Sequence, residues 1–138
     1  MAQSINEVMT HDPRTVQKGA SIREVATAMR EADTGAIIVT DEGRFAGLVT
    51  DRDIVVRALA EGKGPDTAVD EVTTEGVQTL TPDQTVDDAI EIVRSQNVRR
   101  VPVVQDGRPV GIVSIGDLAI ERDTGSALAD LSSEPANN

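Results

Sequence analysis

Two short strings in this chain carry side chains that could hold a small polar ligand: Thr50-Asp51-Arg52-Asp53 and Ser114-Ile115-Gly116-Asp117. In each, a hydroxyl residue closes an apolar run and an aspartate follows three positions later. If the run is a strand and a helix follows it, Asp53 and Asp117 fall in the first helical turn, among N–H groups that lack an intrahelical partner. A carboxylate there can accept hydrogen bonds from two vicinal hydroxyls, which is what a ribose offers. The N–H groups of the same turn can meet a phosphate or carboxylate. The same residues have a plainer use, with Thr50 and Ser114 as N-caps and the aspartates as complements to the helix dipole. Taken alone, local sequence favours the plainer use.

Little else in the chain supports chemistry. There is no cysteine, which removes disulfides, thiolate metal sites and thiol nucleophiles together. His11 is the one histidine and has no acid or nucleophile close by in sequence, so it reads as a loop residue. Neither a nucleophile elbow nor a lysine-bearing phosphate loop is present, and an enzyme is not expected. Asp51 and Asp53 could hold Mg²⁺ beside a polyphosphate. Acidity at a helix start explains them more simply, and no metal is expected to be required.

The elements that must position these strings come in duplicate. Val8–Ile54 overlays Val72–Leu118 without a gap at a constant offset of 64 residues. Val8/Val72, Thr10/Thr74, Gly43/Gly107, Gly47/Gly111 and Asp53/Asp117 are among the identical pairs. Each copy reads β-α-β-β-α. In the first, an extended piece near Thr15 leads to Ser21-Ile22-Arg23-Glu24, a capping box. A helical stripe of Ile22, Val25, Ala26, Met29 and Ala32 follows, and then a buried strand, Ala36 to Thr40. A hairpin turn at Asp41–Arg44 leads into a strand from Phe45 to Thr50 and a helix from Asp51. The second copy repeats this with Val86, Ala89, Ile90 and Val93 on its helix, strands Arg100–Val104 and Val110–Ser114, and a helix from Ile115 to about Arg122. The expected class is α+β (α/β), two pseudo-symmetric repeats packed as one domain. Its boundaries are 5–64 for the first repeat with the linker's start, 65–71 for the linker and 72–122 for the second repeat. Residues 123–138 read as a flexible polar tail.

Composition narrows the partners. Net charge is −11, from 24 acidic and 13 basic side chains, a field that repels nucleic acid and anionic membranes. With no Trp or Tyr and a single Phe, stacking on a base is not available. No apolar run approaches a membrane span, and the N-terminus has neither the basic start nor the apolar stretch of a signal peptide. A cytoplasmic location is expected.

The paired motifs resemble a tandem pair of CBS domains, the Bateman module. The residues that carry the resemblance are Val8-Met9-Thr10, Gly35-Ala36-Ile37-Ile38-Val39, Val98 to Val104, Gly47 to Asp53 and Gly111 to Asp117. The resemblance implies a regulatory module that binds an adenosine-containing nucleotide, AMP, ADP or ATP, in a cleft shared by the repeats. Carried over by position, one cleft combines Thr50, Arg52, Asp53, Gly76, Val77, Gln78, Arg99 and Arg100. The other combines Asp12, Pro13, Arg14, Gly35, Ala36, Ser114 and Asp117. Three arginines make the first the expected phosphate site, while Gly116, Gly35 and Ala36 leave the second with Arg14 alone. The arginines have a plainer use as solvated, salt-bridged or interface side chains. The resemblance also implies a homodimer, with Ile54, Val55, Ala58 and Leu59 available for contact, and a separate protein target. The alternative is a ligand-free, stress-associated protein that acts through dimerisation and protein contacts.

Overall fold

The computed structural model describes residues 3–96 and 98–114. The expected helix from Ile115, Asp117 itself and the segment 123–138 lie outside the described residues. The chain divides into two compact units. One is Pro13–Val77, here the first-repeat unit. The other, the second-repeat unit, joins the chain up to Asp12 with the chain from Gln78 onward.

In the first-repeat unit, β2 (Thr15–Gln17), α2 (Ile22–Ala32), β3 (Ala36–Asp41) and β4 (Arg44–Thr50) form a three-stranded sheet covered by one helix. Strand order is β2-β3-β4, with β2 parallel and β4 antiparallel to β3. Ala36 to Thr40 are all buried, as a run of branched aliphatics with no alternation requires. Glu42 and Gly43 turn the hairpin at φ of 52° and 83°, the left-handed pair that a two-residue loop needs to match the strand twist. The Ser21–Glu24 box is formed: Glu24 N donates to Ser21 Oγ at 3.1 Å, and Ser21 N to Glu24 Oε1 at 3.2 Å. The helix buries Ile22, Val25, Ala28 and Met29. Its apolar face is therefore turned toward Ala28, and the expected Ala26 and Ala32 are exposed. Alanine has too little side chain for periodicity to decide which flank faces the sheet. Beyond β4 the chain winds as a π-helix, Asp53–Leu59, with Ala60 N donating to Val55 O at 2.9 Å.

The second-repeat unit repeats the pattern with α3 (Val86–Gln96), β5 (Arg100–Gln105) and β6 (Arg108–Ser114). Its hairpin turns at Asp106 and Gly107, at φ of 54° and 80°. Leu80 bridges Val103 in parallel, at the position that Val16 and Val39 occupy in the first sheet.

Each unit is closed by the opening segment of the other repeat. Helix α1 (Ile5–Val8) and β1 (Thr10–His11) open the first repeat, yet β1 pairs antiparallel with β6, Thr10 opposite Ile112. Ile5 N donates to Gln84 O at 2.8 Å and Val86 N to Gln3 O at 2.9 Å. Ile5 is fully buried in one core with Leu80, Val86, Ala89, Val93, Val101, Val103 and Val113. Correspondingly, a 3₁₀ turn, Val69–Glu71, and Val72 to Thr74 lead into and open the second repeat but close the first-repeat unit. Val69 and Val72 are buried with Ile22, Val25, Ile37 and Val49, and Thr74 exchanges backbone hydrogen bonds with Leu48 at 2.9 and 3.1 Å. The repeat offset holds throughout, with Ile5 matching Val69 and Thr10 matching Thr74. Sequence repeats and compact units are thus two different partitions of the chain.

Helix α1 starts at a second capping box, in which Ser4 N and Ser4 Oγ donate to Glu7 Oε2 at 3.1 and 3.0 Å. The Ser4 backbone N–H, and then its hydroxyl, hold the exposed Glu7 carboxyl below the ordinary value of 4.5 against a small opposing desolvation. A depressed folded-state pKa means the contribution is complete above the unfolded value and is lost as pH falls through the folded one. The Ser4 amide is therefore expected to keep its hydrogen-bonded NMR shift down to pH 4.5 and lose it only below. Ser4→Ala removes the hydroxyl but keeps the backbone N–H, the larger cause, so it should move the Glu7 titration only part of the way back toward its ordinary value; an unchanged Glu7 titration in that variant would remove the hydroxyl from the box.

Candidate functional site

Strand β4 ends at Thr50, opposite Ala36 on β3, and the π-helix begins at Asp53. Between them the two side chains close on each other. Asp53 Oδ2 accepts from Thr50 N at 2.9 Å and from Thr50 Oγ1 at 3.0 Å, and Asp53 N donates back to Thr50 Oγ1 at 3.2 Å. Both uses considered from sequence therefore meet at one carboxylate. Oδ2 is committed to the cap, while Oδ1 lies 3.6 Å from Arg57 Nη1, an ion-pair rather than a hydrogen-bond distance. Oδ1 is thus left outside the cap, beside the Arg57 cation. The Asp53 side chain is 17% exposed, enough to be reached and too little for water to screen it fully.

Asp51 belongs to the backbone of the same turn. Its N–H donates to Gly35 O at 2.9 Å, and its Oδ1 accepts from Arg52 N at 2.8 Å. One oxygen of each aspartate is thus bound within the turn.

The residues assigned to the two clefts divide between the units. Thr50, Arg52, Asp53, Gly76 and Val77 lie in the first-repeat unit, whereas Gln78, Arg99 and Arg100 lie in the second-repeat unit. Arg52 is exposed, and Gly76 turns the chain at φ of 70°. Arg99 and Arg100 are half-buried at the start of β5, with Arg100 opposite Ser114 on β6. Of the other set, Asp12 and Ser114 lie in the second-repeat unit and Pro13, Arg14, Gly35 and Ala36 in the first-repeat unit. Gly35 and Ala36 adjoin Asp51 and Thr50, so residues assigned to different clefts are neighbours at one end of one sheet. Asp12 holds φ at 50°. Arg14 is an exposed side chain paired with Glu31 at 2.7 Å. His11 places Nε2 3.0 Å from Asn6 O, tying β1 to α1.

Sequence reasoning missed Arg57, which reaches Asp53, Val72 and Thr74. Its signal was present as an acid–base pair at i,i+4 on the helix that follows β4.

Comparison with known proteins identifies the family and the fold. The CBS domain family matches residues 5–59 and 69–122. The CBS domain-containing protein YhcV of Bacillus subtilis (strain 168) is 35% identical over 133 residues, which is 94% of this chain and 95% of YhcV. The crystal structure of Hypoxic Response Protein I with two coordinated zinc ions has a TM-score of 0.80 at 30% identity, covering 88% of this chain and 100% of that one. The CBS domain pair of protein MJ0100, solved in complex with 5′-methylthioadenosine and S-adenosyl-L-methionine, has a TM-score of 0.79 at 28% identity, covering 88% and 96%. Among the described residues of this chain, no three His, Cys, Asp or Glu side chains group to hold a metal. None of their helices is long and apolar enough to cross a membrane. Two tandem matches that together span most of the sequence, on a fold shared with solved CBS pairs, show that the chain belongs to the CBS-domain family and carries the domain twice.

Proposed function

We propose that this protein is a regulatory module that binds an adenosine-containing nucleotide, AMP, ADP or ATP, and signals its occupancy to a separate protein. The observation that carries this reading is the Thr50–Asp53 turn, in which the cap fixes one carboxylate oxygen and leaves the other outside it, as an acceptor for a ligand hydroxyl would need to be. Arg52, Arg99 and Arg100 are the cations assigned to phosphate. The adenosyl ligands of the MJ0100 pair support the same ligand class. Mg²⁺ enters only with a polyphosphate.

Thermal unfolding followed by calorimetry tests it, because the chain has no Trp or Tyr. The panel is AMP, ADP, ATP with and without Mg²⁺, S-adenosylmethionine and NAD. A nucleotide at a hundred times its dissociation constant should stabilise the fold by about 2.7 kcal/mol. Asp53→Ala and Arg100→Ala should abolish that gain, and Asp117→Ala should leave it. A flat panel would sink nucleotide sensing.

A second reading, a protein-contact module that works without a ligand, is favoured by one observation. Ile54 and Ala58 turn into the first-repeat core, which leaves Val55, Val56 and Leu59 exposed on the π-helix at 54, 42 and 71%. Of the four residues expected at a dimer contact, Val55 and Leu59 therefore remain available. We assign this stripe to a second copy of the chain. Leu59→Glu is expected to shift light-scattering mass from dimer to monomer without lowering the melting temperature of the monomer. A wild-type monomer, or a variant that stays dimeric, would remove the stripe from the interface.

A further inference from the structure

We propose that Arg57 is a positioning residue that ties the Asp53 carboxylate to the segment Val69–Thr74, so that a ligand held by Asp53 is felt along that segment. The inference rests on Asp53 being the ribose acceptor, and every residue in it lies within Pro13–Val77.

One guanidinium nitrogen makes two hydrogen bonds and one ion pair. Arg57 Nη1 donates to Val72 O at 3.0 Å, stands 3.4 Å from Thr74 Oγ1 and lies 3.6 Å from Asp53 Oδ1. Because a single nitrogen is shared, closer engagement with one acceptor loosens its hold on the others. The segment it reaches is well anchored on its far side. Val72 is fully buried, Thr73 Oγ1 donates to Val69 O at 2.8 Å, and Thr74 pairs with Leu48. Just past Thr74 the chain turns at Gly76 into Val77, both assigned to the ligand. Arg57 thus joins the acid of the candidate site to the strand that delivers its next two residues.

The hydrogen bond to Val72 O contributes to stability, but the contact with Asp53 adds little. With Arg57 half exposed, an ion pair at this separation contributes little to folding. The link also belongs to one repeat only, since the matching position in the other is Glu121. When a ligand hydroxyl donates to Oδ1, the carboxylate attracts Nη1 less. The guanidinium then closes on Val72 and Thr74 and holds the segment more tightly. Position, rather than catalysis, is the role of this side chain.

Amide hydrogen exchange at Thr74, referred to Val39 in the middle of β3, reads this directly in the full chain. Asp53→Asn keeps an acceptor for the Thr50 cap but removes the charge. It is expected to slow Thr74 exchange roughly threefold when Arg57 is present and to change nothing in the Arg57→Met background, a coupling typical of contacting residues. Arg57→Lys, which retains charge and a donor, should restore the coupling. Independent, multiplying effects of the two substitutions would overturn the proposal. AMP should likewise slow Thr74 exchange in the wild type and not in Arg57→Met. Coupling without any response to AMP would reject the nucleotide reading and leave the Arg57 link standing. Calorimetric binding of AMP with Thr74 exchange unmoved would do the reverse.

Discussion

Ile5→Ala is expected to destabilise the protein by about 3 kcal/mol, the range measured for emptying a buried aliphatic site. At roughly 4 °C per kcal/mol for a chain of this size, the melting temperature should fall by about 10 °C. The size of the effect is unusual for a residue so near a terminus, where substitutions are ordinarily tolerated. It follows from burial: Ile5 has no exposed surface and packs with Leu80, Val86, Val101 and Val103. Its helix is held at its start, by the Ser4–Glu7 box and by backbone bonds from Ile5 and Asn6 to Gln84 and Pro82. Asn6→Ala, on the exposed side of the same turn, is the control and should be near neutral. If Ile5→Ala proved equally silent in calorimetry, the N-terminal segment would not be part of the second-repeat core.

Gly47→Ala is expected to cost about 2–3 kcal/mol by overpacking. A methyl on Gly47 would stand 2.5 Å from Thr73 Cγ2 and 2.7 Å from Thr74 O. The carbonyl cannot retreat without giving up its hydrogen bond from Leu48 N. Gly111 makes the same close approach in the second-repeat unit, with Met9 Sδ against it and Thr10 O at 3.0 Å from the added carbon. Methionine is flexible and that carbonyl is more distant, so Gly111→Ala should be the milder of the two. Gly64 has open space around it and no positive φ, and Gly64→Ala should be neutral or slightly stabilising. Urea titrations of the three variants give the ranking. Equal midpoints for Gly47→Ala and Gly64→Ala would show that the segment does not lie against β4.

The paired glycines show how much was legible in advance. Gly47 and Gly111 stood out in sequence as identical positions at a constant offset, and the resemblance used them as part of a motif. Their physical task, to let another segment's backbone approach, became visible only in the structure. The hairpin turns were readable because left-handed backbone at two successive positions selects Gly43 and Gly107 from local chemistry alone. So was the Ser21–Glu24 cap, formed by residues three apart. The buried flank of α2 was not, since Ala26 and Ala28 differ only in what lies opposite them. Thr50 and Asp53 were readable as a pair, again at a spacing of three. Arg57 went unremarked because an i,i+4 acid–base pair on a helix is ordinary, and its contacts with Val72 and Thr74 span 15 and 17 residues.

From the sequence alone came the duplication, the helix and hairpin that the described residues show in each copy, and the hydroxyl–aspartate turn at Thr50 and Asp53. All of these rest on interactions between residues a few positions apart or on a repeat that can be counted. Tertiary structure alone decided that each hairpin is closed by the opening segment of the other repeat, and that one arginine nitrogen joins Asp53, Val72 and Thr74. The two lead-in segments, Ile5–Thr10 and Val69–Thr74, have the same pattern, and either would bury its apolar residues against either hairpin. Which hairpin each one meets depends on where the chain can reach, a property of the folded path that no local pattern encodes.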